Sequence, residues 1–221
     1  MFFVLFLGGV IVFFFHDFAN FARSYLHHNI ENKPLYSKLQ KQYQSKPSEA
    51  DIYFLGNSIL YNYPYKLVGS CKVTNYSIPG DTSELLLARI DKLYLSQQSK
   101  LFIMIGVNDI GHGESVDVVY ENIKNIAMKL RNSEGEVIIS KLILTDGISR
   151  NNKEVSKLNN LLNELTNLNF IKLIDFNKAL INELTGPSNY TTDGLHLTSE
   201  AYKILESKLE AHFGNTCHST L

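Results

Sequence analysis

Several residues in this chain have the types and spacing that acyl chemistry needs. Ser58, in the stretch "LGNSI", carries a hydroxyl that becomes a nucleophile only beside a base. His196, in "DGLH", is the natural base, because an imidazole titrates near neutrality. Asp193 stands three residues before it. In a turn or a helix start, that spacing brings the carboxylate to the imidazole Nδ1–H, fixes the tautomer and stabilises the imidazolium. Attack on an ester carbonyl also creates an oxyanion, which two or three preorganised donors would stabilise. Gly80, in "IPG", offers a backbone N–H on a chain that can approach closely. Asn108, in "GVND", offers a side-chain amide, and the Ser58 N–H is a third donor.

Taken singly, each segment has a plainer reading. Gly-Asn-Ser, Pro-Gly-Asp and Gly-x-Asn-Asp are common turns or helix caps. Seven histidines make one Asp-x-x-His pair easy to find by chance. The weight lies in the four segments occurring in order, each at the loop its role requires.

Those loops are set by the elements between them. "DIYFLG", "KVTNYSIPG", "KLFIMIG", "EVIISKLIL" and "NFIKLIDF" are short apolar runs without strict alternation, as expected of strands buried on both faces. Helical patterns alternate with them over Glu84–Leu95, Ser115–Leu130 and Asn152–Leu168, with a last helix through Leu209. Asp81, Thr82 and Ser83 are candidate caps for the first of these helices, and Thr198 for the last. Five strands alternating with helices predict a three-layer α/β domain around a parallel sheet. Such sheets bind ligands outside the carboxyl ends of their strands. Ser58, Gly80 and Asn108 fall there.

With these residues in place, the chain resembles the SGNH (GDSL-type) hydrolases, whose four motif blocks centre on Ser, Gly, Asn and His. Here these are Ser58, Gly80, Asn108 and His196, and the resemblance spans about residues 51–210. It implies a flavodoxin-like sandwich with a five-stranded parallel sheet, a catalytic set Ser58, Asp193 and His196, and an oxyanion hole of Ser58, Gly80 and Asn108. It implies no cofactor and no metal. The first block departs from the usual Gly-Asp-Ser-Leu: Gly56-Asn57-Ser58-Ile59 keeps the shape of the acidic residue without its charge. Asp109 is expected to shape its loop rather than react.

The resemblance points to an esterase or acyl hydrolase acting on a small-molecule, lipid or glycan ester. An O-acyltransferase on a glycan would use the same residues. A membrane-tethered binding protein without activity is a third reading, opposed by the intact Ser58, Asp193 and His196. A nucleotide-binding α/β protein would need GxGxxG or GxxxxGK[ST] at a strand–helix turn, and neither occurs. Twenty-one Lys+Arg against 22 Asp+Glu give a net charge of -1, so there is no global electrostatic case for nucleic acid.

The uncharged, aromatic-rich "MFFVLFLGGVIVFFF" makes residues 1–22 a candidate membrane anchor or signal-anchor. A polar linker over 23–50, a catalytic domain over 51–214 and a tail over 215–221 complete the expected organisation. Arg23, Lys33, Lys38 and Lys41 follow the apolar run, and this bias favours a cytoplasmic domain, with the cell envelope as the alternative. Cys71 and Cys217 form neither a zinc pattern nor a CxxC pair; two separate thiols are the favoured expectation, with one disulfide the alternative if the domain is exported.

Overall fold

The apolar runs beyond Asp51 assemble into one sheet. A computed structural model describes residues 29–45, 49–96, 99–131, 136–146, 151–214 and 217. Its strands are β1 (Ile52–Gly56), β2 (Leu67–Val68), β3 (Cys71–Asn75), β4 (Lys100–Met104), β5 (Val137–Ser140) and β6 (Ile171–Ile174). The order across the sheet is β2-β3-β1-β4-β5-β6. All neighbours are parallel except β2, which pairs antiparallel with β3. Every residue of β1 and β5 is buried, which is why they read as apolar runs, broken only by the buried Ser140 at the end of β5.

The five expected parallel strands are all present, in the 2-1-3-4-5 order of flavodoxin-like sheets. The strand count is corrected from five to six by β2. It is two residues long, too short to leave a pattern, and it exists because Gly69 and Ser70 turn the chain back onto β3.

The helices are α1 (Pro34–Tyr43), α2 (Ser58–Tyr61), α3 (Ser83–Arg89), α4 (Val107–Gly111), α5 (Val116–Leu130), α6 (Asn152–Leu162), α7 (Asn177–Leu184), α8 (Pro187–Tyr190) and α9 (Ser199–Phe213). α3, α5 and α6 pack side by side, and α9 packs on α7, so helices flank the central sheet. Thr82, Ser115 and Thr198 cap α3, α5 and α9 through their hydroxyls, leaving one fewer orphan N–H at each helix start. Two helices are shorter than their apolar periodicity predicts. The turns Ile90–Lys92 and Asn163–Asn167 tighten into 3-10 geometry where α3 and α6 end.

The chain divides into two compact units, residues 1–39 and 40–221. The second takes in the end of the segment expected as a linker. Tyr43 there donates its hydroxyl to the Ser77 carbonyl at 3.2 Å and packs on Tyr76 with ring centroids 5.0 Å apart. The anchor expected over residues 1–22 lies outside the described residues, as does the tail apart from Cys217. Among the described residues no helix is long and apolar enough to cross a membrane.

Contrary to the expectation of separate thiols, Cys71 and Cys217 form a disulfide, with Cα atoms 5.3 Å apart across a sequence separation of 146. α9 returns the chain to the sheet edge, where Ser70 Oγ donates to the Cys217 carbonyl at 3.1 Å. The pairing is tertiary, and nothing in the cysteine spacing encodes it.

Candidate active site

The serine is mounted where β1 stops. Gly56 pairs with Met104 of β4, and a Cβ on Gly56 would lie 2.3 Å from the Met104 carbonyl oxygen, so only glycine fits. Asn57 then leaves the strand in an extended conformation and caps α2, its Oδ1 accepting the Ile59 N–H at 3.0 Å. An aspartate could accept the same bond, so the loss of charge at this position leaves the cap intact. Ser58 is the first residue of α2, so its own N–H has no partner within the helix. Tertiary donors reach the carbonyls of this one-turn helix. Tyr202 of α9 donates its hydroxyl to Ile59 O at 2.7 Å, and Asn75 Nδ2 donates to Leu60 O at 2.6 Å.

His196 sits at the tip of a narrow loop between α8 and α9. Thr198 N donates to Tyr190 O, Thr192 N donates to His196 O, and Thr191 bridges Leu197, so the loop closes on itself. It is tied to the segment after β5 by Asp146 N donating to Gly194 O and by the Tyr190 hydroxyl donating to Leu144 O, both at 3.0 Å. At the tip, Asp193 Oδ1 accepts the backbone N–H groups of Leu195 (3.0 Å) and His196 (2.8 Å), while Oδ2 lies 2.6 Å from His196 Nδ1. The ring hydrogen bond, followed by the backbone one, holds the Asp193 carboxyl down at about 2. A carboxylate at Nδ1 makes Nδ1 the protonated nitrogen and leaves Nε2 an acceptor. Nε2 lies 2.9 Å from Ser58 Oγ, 138 residues away in sequence. The structure therefore joins Ser58, His196 and Asp193 in one hydrogen-bonded line.

Gly80 and Asn108 come together on the neighbouring strand ends. Ile78 N donates to Gly56 O at 3.0 Å, which lays the turn after β3 against the end of β1. Gly80 occupies that turn with φ +84°, a conformation other residues adopt at a cost. Asn108, on α4 directly beyond β4, donates its Nδ2 to the Asp81 carbonyl at 2.9 Å. The side-chain amide and the glycine turn are thus fixed to each other.

Beneath them lies a set of buried charges that the sequence did not disclose. Asp81 is fully buried and pairs with Arg89 at 2.7 Å. Asp109, also buried, accepts from the Ser83 N–H (3.0 Å) and the Ser83 hydroxyl (2.5 Å), and Asn122 Nδ2 donates to the same hydroxyl at 3.0 Å. Burial pushes the Asp109 carboxyl up to about 6, against the lowering effect of the Ser83 hydrogen bonds. Asp109 thus ties α4 to the first residue of α3. Arg89 was missed because an arginine at a helix end normally reads as solvent-facing. Among the described residues no group of three or more His, Cys, Asp or Glu is arranged to hold a metal ion.

A flavodoxin-like α/β sandwich with a serine, histidine and carboxylate aligned at the carboxyl ends of its strands defines a hydrolase class. Residues 54–204 match the GDSL-like lipase/acylhydrolase family, and the chain belongs to it. It is 31% identical over 141 residues to the N-acylneuraminate cytidylyltransferase of Streptococcus agalactiae serotype V, which is 62% of this chain and 33% of that protein. The chain thus spans about a third of that relative's length. Among solved structures, a Streptococcus pneumoniae protein described as a platelet activating factor superposes with a TM-score of 0.74 at 24% identity, over 88% of this chain and 98% of the other. The lipase/acylhydrolase from Enterococcus faecalis does so with a TM-score of 0.64 at 21% identity, over 77% and 98%. These two likenesses establish the fold.

Proposed function

We propose that the protein is a serine esterase that cleaves acyl esters through Ser58, His196 and Asp193. The observation that carries this reading is the unbroken hydrogen-bonded line from Asp193 Oδ2 through His196 to Ser58 Oγ, at 2.6 and 2.9 Å. His196 Nε2 takes the hydroxyl proton as Ser58 Oγ bonds to the ester carbonyl carbon. The carbonyl oxygen becomes an oxyanion facing the Ser58 and Gly80 N–H groups and the Asn108 amide. The C–O bond to the alcohol breaks, and the alcohol leaves with the proton from His196. Water then attacks the acyl-enzyme, His196 accepts its proton, and the carboxylic acid departs with Ser58 restored.

The Streptococcus agalactiae relative is named for N-acylneuraminate, an N-acylated sugar acid, and esters of sugar hydroxyls are a substrate class that this chemistry could act on. An O-acetylated sugar is therefore the first natural substrate class to test. The decisive experiment is hydrolysis of p-nitrophenyl acetate and of an O-acetylated sugar by the full chain beside Ser58→Ala. The proposal expects the variant to lose activity by roughly 10³-fold or more. Equal rates in the two proteins would remove Ser58 from the mechanism.

The Cys71–Cys217 disulfide supports a compartment outside the reducing cytoplasm, against the charge bias of the N-terminal segment. Alkylation of the protein taken directly from cells, with and without reductant, tests this. Thiols that alkylate fully without reductant would overturn it.

A further inference from the structure

The segment from Tyr76 to Asp81, which carries Gly80, is gripped at both ends by one side chain. Arg89 Nη2 donates to the Tyr76 carbonyl at 2.9 Å and to Asp81 Oδ2 at 2.7 Å, and Nε donates to the same carboxylate oxygen at 3.0 Å. Between these two anchors the turn closes through Asp81 N donating to Ile78 O. The main-chain carbonyl of Asp81 in turn accepts from Asn108 Nδ2. Two of the three donors assigned to the oxyanion therefore hang from a single ion pair: Gly80 lies inside the gripped segment, and Asn108 is hydrogen-bonded to its last residue. Arg89 is 1% exposed and Asp81 0%, so neither can touch a substrate.

Stability alone is a poor explanation for this pair. Desolvating two charges offsets most of their attraction, and apolar side chains of the same volume often do as well or better. Arg89 Nη1 is moreover buried with no hydrogen-bond partner among the described residues, a further cost. α3 has its own cap in Thr82 and its own buried face in Leu85 and Leu86. What a guanidinium supplies is geometry. Its planar array of donors holds two acceptors from different parts of the chain at a fixed separation, which an ammonium does not.

We propose that Arg89 is a positioning residue that presets the Gly80 and Asn108 donors, acting through Asp81 and Tyr76. The inference rests on the esterase reading above. A preset oxyanion site stabilises the transition state and leaves ground-state binding alone, so its loss moves kcat and not KM.

The test compares the wild-type chain, Arg89→Lys and the double variant Asp81→Asn/Arg89→Gln on p-nitrophenyl acetate. Each rate is divided by the number of Ser58 sites that react to completion with radiolabelled diisopropyl fluorophosphate, so misfolded molecules drop out. Arg89→Lys keeps the charge but loses the two-ended grip, and the double variant removes both buried charges together. The expected result is a fall in kcat per titrated site of roughly 10- to 100-fold, short of the ~10²–10³ for deleting a donor outright, with KM within about twofold. Inhibition by a trifluoromethyl ketone, whose adduct with Ser58 carries the oxyanion, should weaken in step with kcat. Unchanged kcat per titrated site in either variant would overturn the proposal, as would a change confined to KM. Failure of both variants to yield any titratable protein would make the pair purely structural and overturn it too. Ser58→Ala separates the two readings: labelling retained in that variant would sink the esterase mechanism, whereas labelling lost there with Arg89 variants at full kcat would sink only the positioning role.

Discussion

One carboxylate, that of Asp193, binds both the backbone and the ring of His196: Oδ1 accepts the His196 N–H at 2.8 Å and Oδ2 meets Nδ1 at 2.6 Å. The three-residue spacing is what makes this double engagement possible, since the turn brings the carboxylate over the peptide and the imidazole together. The ring is thereby held in one tautomer and one orientation. Asp193 is 55% exposed at its side chain, so this arrangement orients the histidine more than it stabilises the fold.

Asp193→Asn should therefore damage turnover and spare folding. The amide can still accept backbone hydrogen bonds, but it no longer favours a proton on Nδ1 and cannot stabilise an imidazolium. The expected loss is on the order of 10³–10⁴ in kcat, with a melting temperature close to wild type. Steady-state kinetics on p-nitrophenyl acetate beside a thermal melt checks it. Since the Asp193 carboxyl is held at about 2, the contribution it makes to stability is present above its ordinary value of 3.8 and is lost only as pH falls toward 2.

Asp109 has the opposite sign. Burial raises its carboxyl from 3.8 to about 6, so the folded state holds the proton more tightly than the unfolded chain does. Its contribution is fully present below about pH 3.8 and is lost as pH rises through about 6. A shift of this size corresponds to an order of 3 kcal/mol. Asp109→Asn keeps the shape and an acceptor for Ser83 but cannot ionise. Urea unfolding of both proteins at pH 4 and pH 7.5 should show the variant gaining on the wild type as pH rises. A difference between them that does not change with pH would mean that Asp109 does not titrate in this window.

How much of this was legible in the sequence follows from where each residue's constraint comes from. The strands β1, β4 and β5 were readable because burial on both faces leaves unbroken apolar stretches at residues 52–55, 101–104 and 137–139. Thr198 was readable because a helix start needs a side-chain acceptor at a fixed offset, whereas Thr82 was one of three adjacent candidates with Asp81 and Ser83, among which only the structure chooses. The line from Ser58 to Asp193 was readable because acyl chemistry restricts residue types and the Asp-x-x-His turn restricts spacing. β2 was not, since two residues carry no periodicity. Arg89 was not, because its burial depends on Asp81 and Tyr76 lying beneath α3, a fact of packing. The disulfide was hidden for the same reason: α9 alone brings residue 217 to the sheet edge.

The hydroxyl of Tyr202 offers a test of how the serine mount is supported. It donates to Ile59 O at 2.7 Å, next to the nucleophile, and Ile59 is buried. Tyr202→Phe keeps the ring and its edge-on packing against Tyr63, while leaving a buried carbonyl without this donor. The expected cost is about 1–3 kcal/mol in urea unfolding. A several-fold drop in kcat should accompany it as α2 loosens. Wild-type stability in the variant would show that water or another donor replaces the hydroxyl.

The disulfide makes a separable prediction, because it lies at the β2–β3 edge of the sheet, beyond β3 from the end of β1 where Ser58 is mounted. Linking Cys71 to Cys217 closes nearly the whole domain into one loop, with a sequence separation of 146. In the chain-entropy picture long loops lose the most freedom on cross-linking, and removal of such a bond costs about 2–5 kcal/mol. Cys71→Ser/Cys217→Ser should lower the unfolding free energy by that amount, seen as a lower melting temperature and a lower urea midpoint. Turnover at 25 °C should stay near wild type, because the cystine joins the start of β3 to the segment after α9, whereas Ser58 follows the carboxyl end of β1. Wild-type protein unfolded in the presence of dithiothreitol should match the double variant. If kcat collapsed while the fold persisted, the sheet edge would be coupled to the site, and the separation argued here would fail.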